Sequence, residues 1–235
     1  PFVASDQRLK CDVRLNITYM YGEPHRCFPG DIMNKQEFSE IIALGREQRG
    51  VEFKRGGSRK NKHLLTKVVR AVMSMANRRD GGYVIVGVED EDGMPVPKGL
   101  TDEDLSTWIY DDVADSLSEY VDPNVSFDLK VIEYEGKQFV VLIVHEFEDL
   151  PILCKKDYSD VLRAGACYVR TRRKPETVEI PSQVDMRDLL DLAVEKGVRR
   201  FVARARTVGL SLTGPLPPTD ADLFNKQIEN FLGEN

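Results

Sequence analysis

With 235 residues, 41% hydrophobic and 31% charged, the chain has the composition of a globule with a packed core, in one large domain or one and a half ordinary ones. Its net charge of −6 argues against phosphate binding by bulk charge alone, and no apolar run approaches the roughly 20 residues that a membrane-spanning helix needs. Residues 1–6 lack the basic start and apolar segment of a signal peptide, and Cys11, Cys27, Cys154 and Cys167 form neither a C-x-x-C pair nor zinc-like spacing with His25, His63 or His145. Reduced thiols, no zinc, and a cytoplasmic or nuclear location are therefore expected.

In chain order, 1–35 reads as an arm with one alternating stretch, 13–21, of strand type. A helix is expected over 34–46, with Asn34 as N-cap, Glu37 three residues on, and Phe38, Ile41 and Ile42 on one side. Val51–Lys54 reads as a short strand with Glu52 and Lys54 on one face and Val51 and Phe53 on the other. That places Glu47 at the end of the helix and Glu52 in the strand. A basic glycine-containing loop over 56–61 leads to a helix running to about Asn77, with Leu65, Val68, Val69, Val72, Met75 and Ala76 as its buried stripe. Residues 83–88 are apolar on both faces, as a central strand should be, and 89–93 reads as the turn after it, with Asp90 at the strand's carboxyl end.

A helix capped by Thr101 is expected through about Val121, with Leu105, Ile109, Val113 and Leu117 inward. A hairpin over 127–144 turns at Glu135-Gly136, and Ile152–Cys154 extends the sheet. A last strand covers 163–171. Ser182 caps a helix to about Gly197 with Leu189, Leu190, Ala193 and Val194 buried, and a basic continuation runs to Arg206. A linker at 207–218 and an amphipathic helix at 219–235 end the chain. The main domain is thus 36–206, of α+β class, with a mixed, mostly antiparallel sheet and helices packed against it.

Charge is unevenly distributed. Residues 54–79 hold nine Lys and Arg and no acid, whereas 89–149 contain no Arg. Arg170, Arg172, Arg173 and Lys174 restore positive charge. One basic face and an acidic back would permit nucleic-acid contact, and two solvated faces would give the same pattern. Three carboxylates, Glu47, Glu52 and Asp90, mark the ends of the segment 47–92. On spacing alone such groups are more often solvated or paired with a lysine than gathered round a metal.

Three blocks carry a resemblance. The first is Glu47-x4-Glu52-Phe53-Lys54. The second is Ala71-x4-Ala76-Asn77 followed by Gly81-Gly82, the apolar run to Val88, and Asp90-x-x-Gly93. The third is Pro151 followed by Gly165-x-x-Tyr168-Val169-Arg170. In this order they resemble the AlbA_2 domain of the Schlafen family, over roughly 36–180. The resemblance implies a single Schlafen-like lobe and a metal-dependent catalytic triad at Glu47, Glu52 and Asp90. Other members of the domain family serve as nucleic-acid-binding modules without demonstrated cleavage. Vertebrate Schlafen cores join two lobes and carry a zinc finger, neither of which is present here. A single lobe implies a homodimer, or a heterodimer with a second Schlafen-like lobe. No P-loop is present, so ATP is not expected.

The expected chemistry is cleavage of structured RNA such as tRNA, with Mg²⁺ or Mn²⁺ on oxygen ligands and Lys54 at the scissile phosphate. Arg55, Arg59, Lys60, Lys62, Arg170, Arg172, Arg173 and Lys174 are the expected backbone contacts. The alternatives are a non-catalytic DNA- or RNA-binding regulatory module, and a partner subunit that completes another chain's nuclease site.

Overall fold

The computed structural model describes residues 33–171 and 174–209. The strand expected at 13–21, Cys11, Cys27, Arg172, Arg173, most of the linker and the helix at 219–235 lie outside the described residues.

The elements run α1 (Lys35–Ala43), β1 (Val51–Lys54), α2 (Lys62–Ala76), β2 (Gly82–Val86), β3 (Val88–Glu91), β4 (Met94–Pro97), α3 (Asp102–Leu105), α4 (Tyr110–Tyr120), β5 (Val121–Asp122), β6 (Phe127–Tyr134), β7 (Lys137–Val144), β8 (Leu153–Cys154), β9 (Tyr168–Arg170), β10 (Thr177–Glu179) and α5 (Gln183–Thr207). Four strands form the main sheet in the order β1-β2-β7-β6. β1 is parallel to β2, and the other pairs are antiparallel. The chain is therefore α+β with a mixed, mostly antiparallel sheet, as the pattern implies.

β2 is apolar on both faces because both are covered. Val84 and Val86, with Val140 and Leu142 of β7, pack on α2. Tyr83 and Ile85, with Phe139 and Val141, pack with Phe38 and Ile41 of α1. α2 starts where Asn61 accepts a hydrogen bond from the Leu64 N–H, and its whole expected stripe is buried. α1 starts at Asn34, whose side chain accepts from Glu37 N. Gly81 has φ +66°, and a Cβ there would lie 2.0 Å from the Val144 carbonyl oxygen, so only glycine fits where β2 begins.

Several expectations are corrected. α1 ends at Ala43, so Glu47 lies in the loop beyond the helix rather than at its end. The helix expected from Thr101 to Val121 breaks into α3 and α4. The break turns Trp108 inward, where its Nε1–H donates to the Gly57 carbonyl at 3.0 Å, and leaves Ile109 exposed. Leu153–Cys154 pairs with Val121–Asp122 as a separate two-stranded sheet and does not extend the main one. The 163–171 segment narrows to Tyr168–Arg170, and a further strand, β10, pairs with it. α5 runs through Gly197 without interruption, burying Leu189 and Leu192 and leaving Leu190 and Val194 outside.

Residues 89–93 are not a simple turn. Gly87 has φ +114° and leads directly into the β3–β4 hairpin, whose tip is Asp92-Gly93. Positive φ at both tip residues is the geometry that an Asp-Gly hairpin turn favours.

Candidate functional site

β1 is an edge strand of the main sheet, and Glu52 points from it toward α2, in register with Val84. β9 and β10 pack on the same helix, so Arg170 and Thr177 arrive beside Glu52. Glu52 is 6% exposed and fully engaged. Its Oε1 accepts from Lys54 Nζ, and its Oε2 accepts from Arg170 Nη1 at 3.0 Å and from the Thr177 hydroxyl. Burial pushes this carboxyl's pKa up. The charges of Lys54 and Arg170, with hydrogen bonds from Lys54 and Thr177, outweigh burial and hold it below the ordinary value.

Glu47 closes the other side. Its Oε1 accepts from Phe53 N at 2.8 Å, and its Oε2 from Arg170 Nη2 at 3.2 Å. Burial raises its pKa, against the pull of the Phe53 N–H and Arg170. Arg170 Nη2 also donates to the carbonyls of Gln48 at 3.0 Å and Val51 at 2.7 Å. Two carboxylates and two cations, Glu47, Glu52, Lys54 and Arg170, thus balance around one buried guanidinium. Pairing with opposite charge is what lets charge of this kind remain buried, although Arg170 Nε itself has no hydrogen-bond partner among the described residues.

A groove of about 540 Å³ opens beside this cluster. It is lined by Glu47, Lys54, Arg55, Lys67, Asp90 and Lys174, among others. A second hollow of about 510 Å³ adjoins it, sharing Glu47, Lys54 and Lys67 and adding Glu52, Arg70 and Thr177. The three expected carboxylates divide between the two hollows: Glu47 lines both, Asp90 only the first and Glu52 only the second. Asp90 is exposed on β3, and its Oδ1 accepts from Gly93 N at 2.8 Å. Among the described residues no three carboxylate, imidazole or thiol groups gather closely enough to hold a metal as they stand.

The expected phosphate contacts divide. Arg55, Lys60 and Lys62 are exposed, and Lys174 is exposed beside Glu176. Arg170 is instead an interior residue, with only 1% of its side chain exposed. Arg59 is turned inward and held by the Thr107 carbonyl at 2.9 Å, Ser116 Oγ at 3.0 Å and Asp112 Oδ2 at 2.9 Å. Sequence reasoning missed Lys67, Arg70 and Thr177 as groove residues. Lys67 and Arg70 carried a signal, both being cations expected on the outer side of the helix within the basic run. Arg70 donates to the Thr177 carbonyl at 3.0 Å and stacks over the Tyr168 ring, 5.0 Å from its centroid.

A Schlafen AlbA_2 family model matches residues 47–179. Two solved structures are similar. The DIP2311 protein of Corynebacterium diphtheriae has 20% identity and a TM-score of 0.44, over 62% of this chain and 26% of that one. The N-terminal domain of a putative ATP-dependent DNA helicase RecG-related protein from Nitrosomonas europaea has 22% identity and a TM-score of 0.40, over 62% of this chain and 94% of that one. The chain thus corresponds to about a quarter of the first structure and nearly all of the second. No curated protein matches. Because the family match begins at Glu47, spans more than half of the chain and takes in every groove residue named above, the chain belongs to the Schlafen AlbA_2 family.

Proposed function

We propose that this chain binds RNA along the groove beside β1 and cleaves its backbone with the help of a divalent cation. One observation carries the reading: carboxylates Glu47 and Asp90 and cations Lys54, Arg55, Lys67 and Lys174 line the same concavity. Membership in the Schlafen AlbA_2 family supports a nucleic-acid-related role. Lys67 meets the phosphate backbone as a point charge and Arg55 as a planar, bidentate fork. Lys54 pairs with Glu52 at the groove wall and would turn to the scissile phosphate of bound RNA. That turn would uncover Oε1 of Glu52.

The donor chemistry fits Mg²⁺ or Mn²⁺, because the available ligands are carboxylate oxygens. Magnesium commonly takes one or two protein carboxylates and completes its shell with water and substrate phosphate. Glu47 and Asp90 would supply that pair, and Glu52 would join once Lys54 has moved. When bound, such an ion neutralises phosphate charge and acidifies a water.

The second reading is a binding module without cleavage. It is favoured by the fully compensated state of Glu52, both of whose oxygens already have partners. One experiment separates the two: tRNA and single-stranded DNA incubated with the protein, with Mn²⁺ or with chelator, for the wild type and for Asp90→Asn. Cleavage that needs the cation and disappears in the variant supports the nuclease. Binding without cleavage in either condition supports the module, and cleavage unchanged in Asp90→Asn rejects the site.

A further inference from the structure

Phosphate binding accounts for the cations of the groove and leaves Phe53 unexplained. Phe53 stands on β1 in register with Ile85 and packs against the buried cluster that holds Phe38, Tyr83 and Ile85. That packing covers only part of it. Phe53 is partly exposed, and it lines the groove of about 540 Å³ together with Lys54, Lys67 and Lys174. The lining around it is apolar as well: Leu64 and Val88 are buried, and Pro95 and Pro175 are partly exposed. A channel for phosphates alone needs cations and N–H groups. It gains nothing from an aromatic ring and two prolines at its wall, whose apolar surface is left against water.

A nucleobase matches both halves of this lining, having flat apolar faces and a covalent link to phosphate. Phe53 and Lys54 are the last two residues of β1, with Cα atoms about 3.8 Å apart. Their side chains leave opposite faces of the strand, but β1 is an edge strand that stops there, so both reach the same groove. A phosphate met by Lys54 and a base lying on Phe53 are then parts of one short stretch of strand. The volume is within the roughly 300–1,000 Å³ of small-ligand sites, enough for a nucleotide. The platform is also fixed in advance. Phe53 N donates to Glu47 Oε1 at 2.8 Å, and the Lys54 carbonyl accepts from Gly87 N at 2.9 Å. In a duplex the base faces are covered by their neighbours, and an A-form helix offers only edges, 2′-hydroxyls and phosphates. The occupant that fits is therefore an unpaired nucleotide. Phenylalanine has no polar atom with which to read a base edge, and every base has a face to stack.

We propose that Phe53 is the stacking platform of the groove, and that the RNA this chain takes presents an unpaired nucleotide there, from a loop, a bulge or a single-stranded end. The inference rests on the reading of the groove as an RNA site and adds which RNA enters it. It holds whether or not the RNA is then cut. Phe53 becomes a specificity-determining residue that selects for strand state and is indifferent to base identity.

The test uses the full chain in chelator, so that binding is read without cleavage. The probes are an RNA hairpin carrying 2-aminopurine in its loop and a blunt duplex of the same stem sequence. The wild type is expected to bind the hairpin about 5- to 150-fold more tightly than the duplex, the range that one base–aromatic stack gives, and to quench the 2-aminopurine. Phe53→Leu keeps an apolar group against the α1 cluster and removes the flat face, so it should erase that preference and leave the probe bright. Phe53→Trp should retain both. Lys67→Ala should weaken both RNAs. Equal affinity for the two RNAs in the wild type, or a preference and quenching that survive Phe53→Leu, overturns the platform. The groove reading then stands if Lys67→Ala still weakens binding. No binding of either RNA, or binding indifferent to Lys67→Ala, overturns the groove reading and this inference with it. The wild-type comparison and Phe53→Trp decide the matter even where melting shows that Phe53→Leu does not fold.

Discussion

Arg170 Nη1 and Glu52 Oε2 lie 3.0 Å apart in the interior, joining β9 to β1. The same guanidinium also donates to Glu47, Gln48 and Val51, so one side chain ties the 47–52 segment to the β9–β10 pair. Removing one member of a buried charged pair leaves the other uncompensated, at a typical loss of about 3–5 kcal/mol. Arg170→Met is expected to fall in that range by urea denaturation. Arg170→Lys should recover little, because an ammonium group cannot reach both carboxylates and two carbonyls from one planar fork. The combination Glu52→Gln with Arg170→Met should be less damaging than the sum of the single changes. Strict additivity in that cycle would show that the two side chains are not coupled.

Acid should act through the same cluster. The folded-state pKa of Glu52 lies below the ordinary 4.5. Its charged form therefore stabilises the fold above 4.5, and that contribution is lost as pH falls through 4.5 toward the lower folded value. Glu47 runs the other way. Its raised pKa favours the fold on the acid side, and the advantage is lost as pH rises above 4.5. Glu52→Gln removes the acid-labile contribution and keeps that of Glu47, so it is expected to lose less stability than the wild type as pH falls below about 4.5. Urea midpoints across pH 3–7 for the two proteins measure this directly, and parallel curves would assign the acid sensitivity elsewhere.

Much of the fold could be read in the sequence because its signals are local. α2 shows an unbroken helical stripe after a glycine-containing loop, and β2 shows the doubly apolar run of a covered strand. Local reading failed where a long-range partner decides. Arg170 sits in a basic run that looks like surface, and its burial depends on Glu47 and Glu52, far back in the chain. Arg59 belongs to a loop that looks free, yet Thr107, Asp112 and Ser116 draw it inward. In α5 two apolar stripes compete. Periodicity finds both and cannot say that Leu192 rather than Leu190 meets the body. The β3–β4 hairpin did carry a local signal, Asp92-Gly93, which the run of acids around it disguised as a plain turn. The groove carboxylates stood out in the sequence, whereas the neutralisation of Glu52 by Lys54 and Arg170 is visible only in three dimensions.

Groove cations and inward cations should separate experimentally. Lys67 and Arg55 are exposed at the groove, so Lys67→Ala and Arg55→Ala are expected to weaken RNA binding with little change in stability. Each should also lower the slope of log affinity against log salt by about 0.7–0.9, the amount lost with one phosphate contact. Arg59→Ala should do the reverse, costing stability through its lost bonds to Thr107, Ser116 and Asp112 while leaving the salt slope unchanged. Filter binding over a salt series, alongside thermal melts, measures both quantities. A lowered salt slope in Arg59→Ala would place that arginine on the nucleic acid after all.

Asn77 gives the last prediction. It stands at the C-terminal end of α2, where both ends of its side-chain amide are used. Its Oδ1 accepts from Ile152 N at 2.7 Å, and its Nδ2 donates to the Ile152 carbonyl at 2.8 Å and the Tyr168 carbonyl at 3.0 Å. The amide thus does for the backbones near β8 and β9 what a strand ladder would do, binding both to the end of α2. Asn77→Ala takes the side-chain partner from one backbone N–H, that of Ile152, and from two carbonyls, those of Ile152 and Tyr168; a buried polar group left unpaired costs about 1–3 kcal/mol. Asn77→Asp keeps the acceptor, loses the donor and buries a charge, so it should be at least as harmful at neutral pH and partly recover in acid as the carboxyl takes up a proton. Hydrogen exchange of the Ile152 amide reads the local bond and urea denaturation the global one. Because β9 carries Arg170, loosening at Asn77 is expected to reach the groove as weaker RNA binding, with Lys67 and Arg55 untouched.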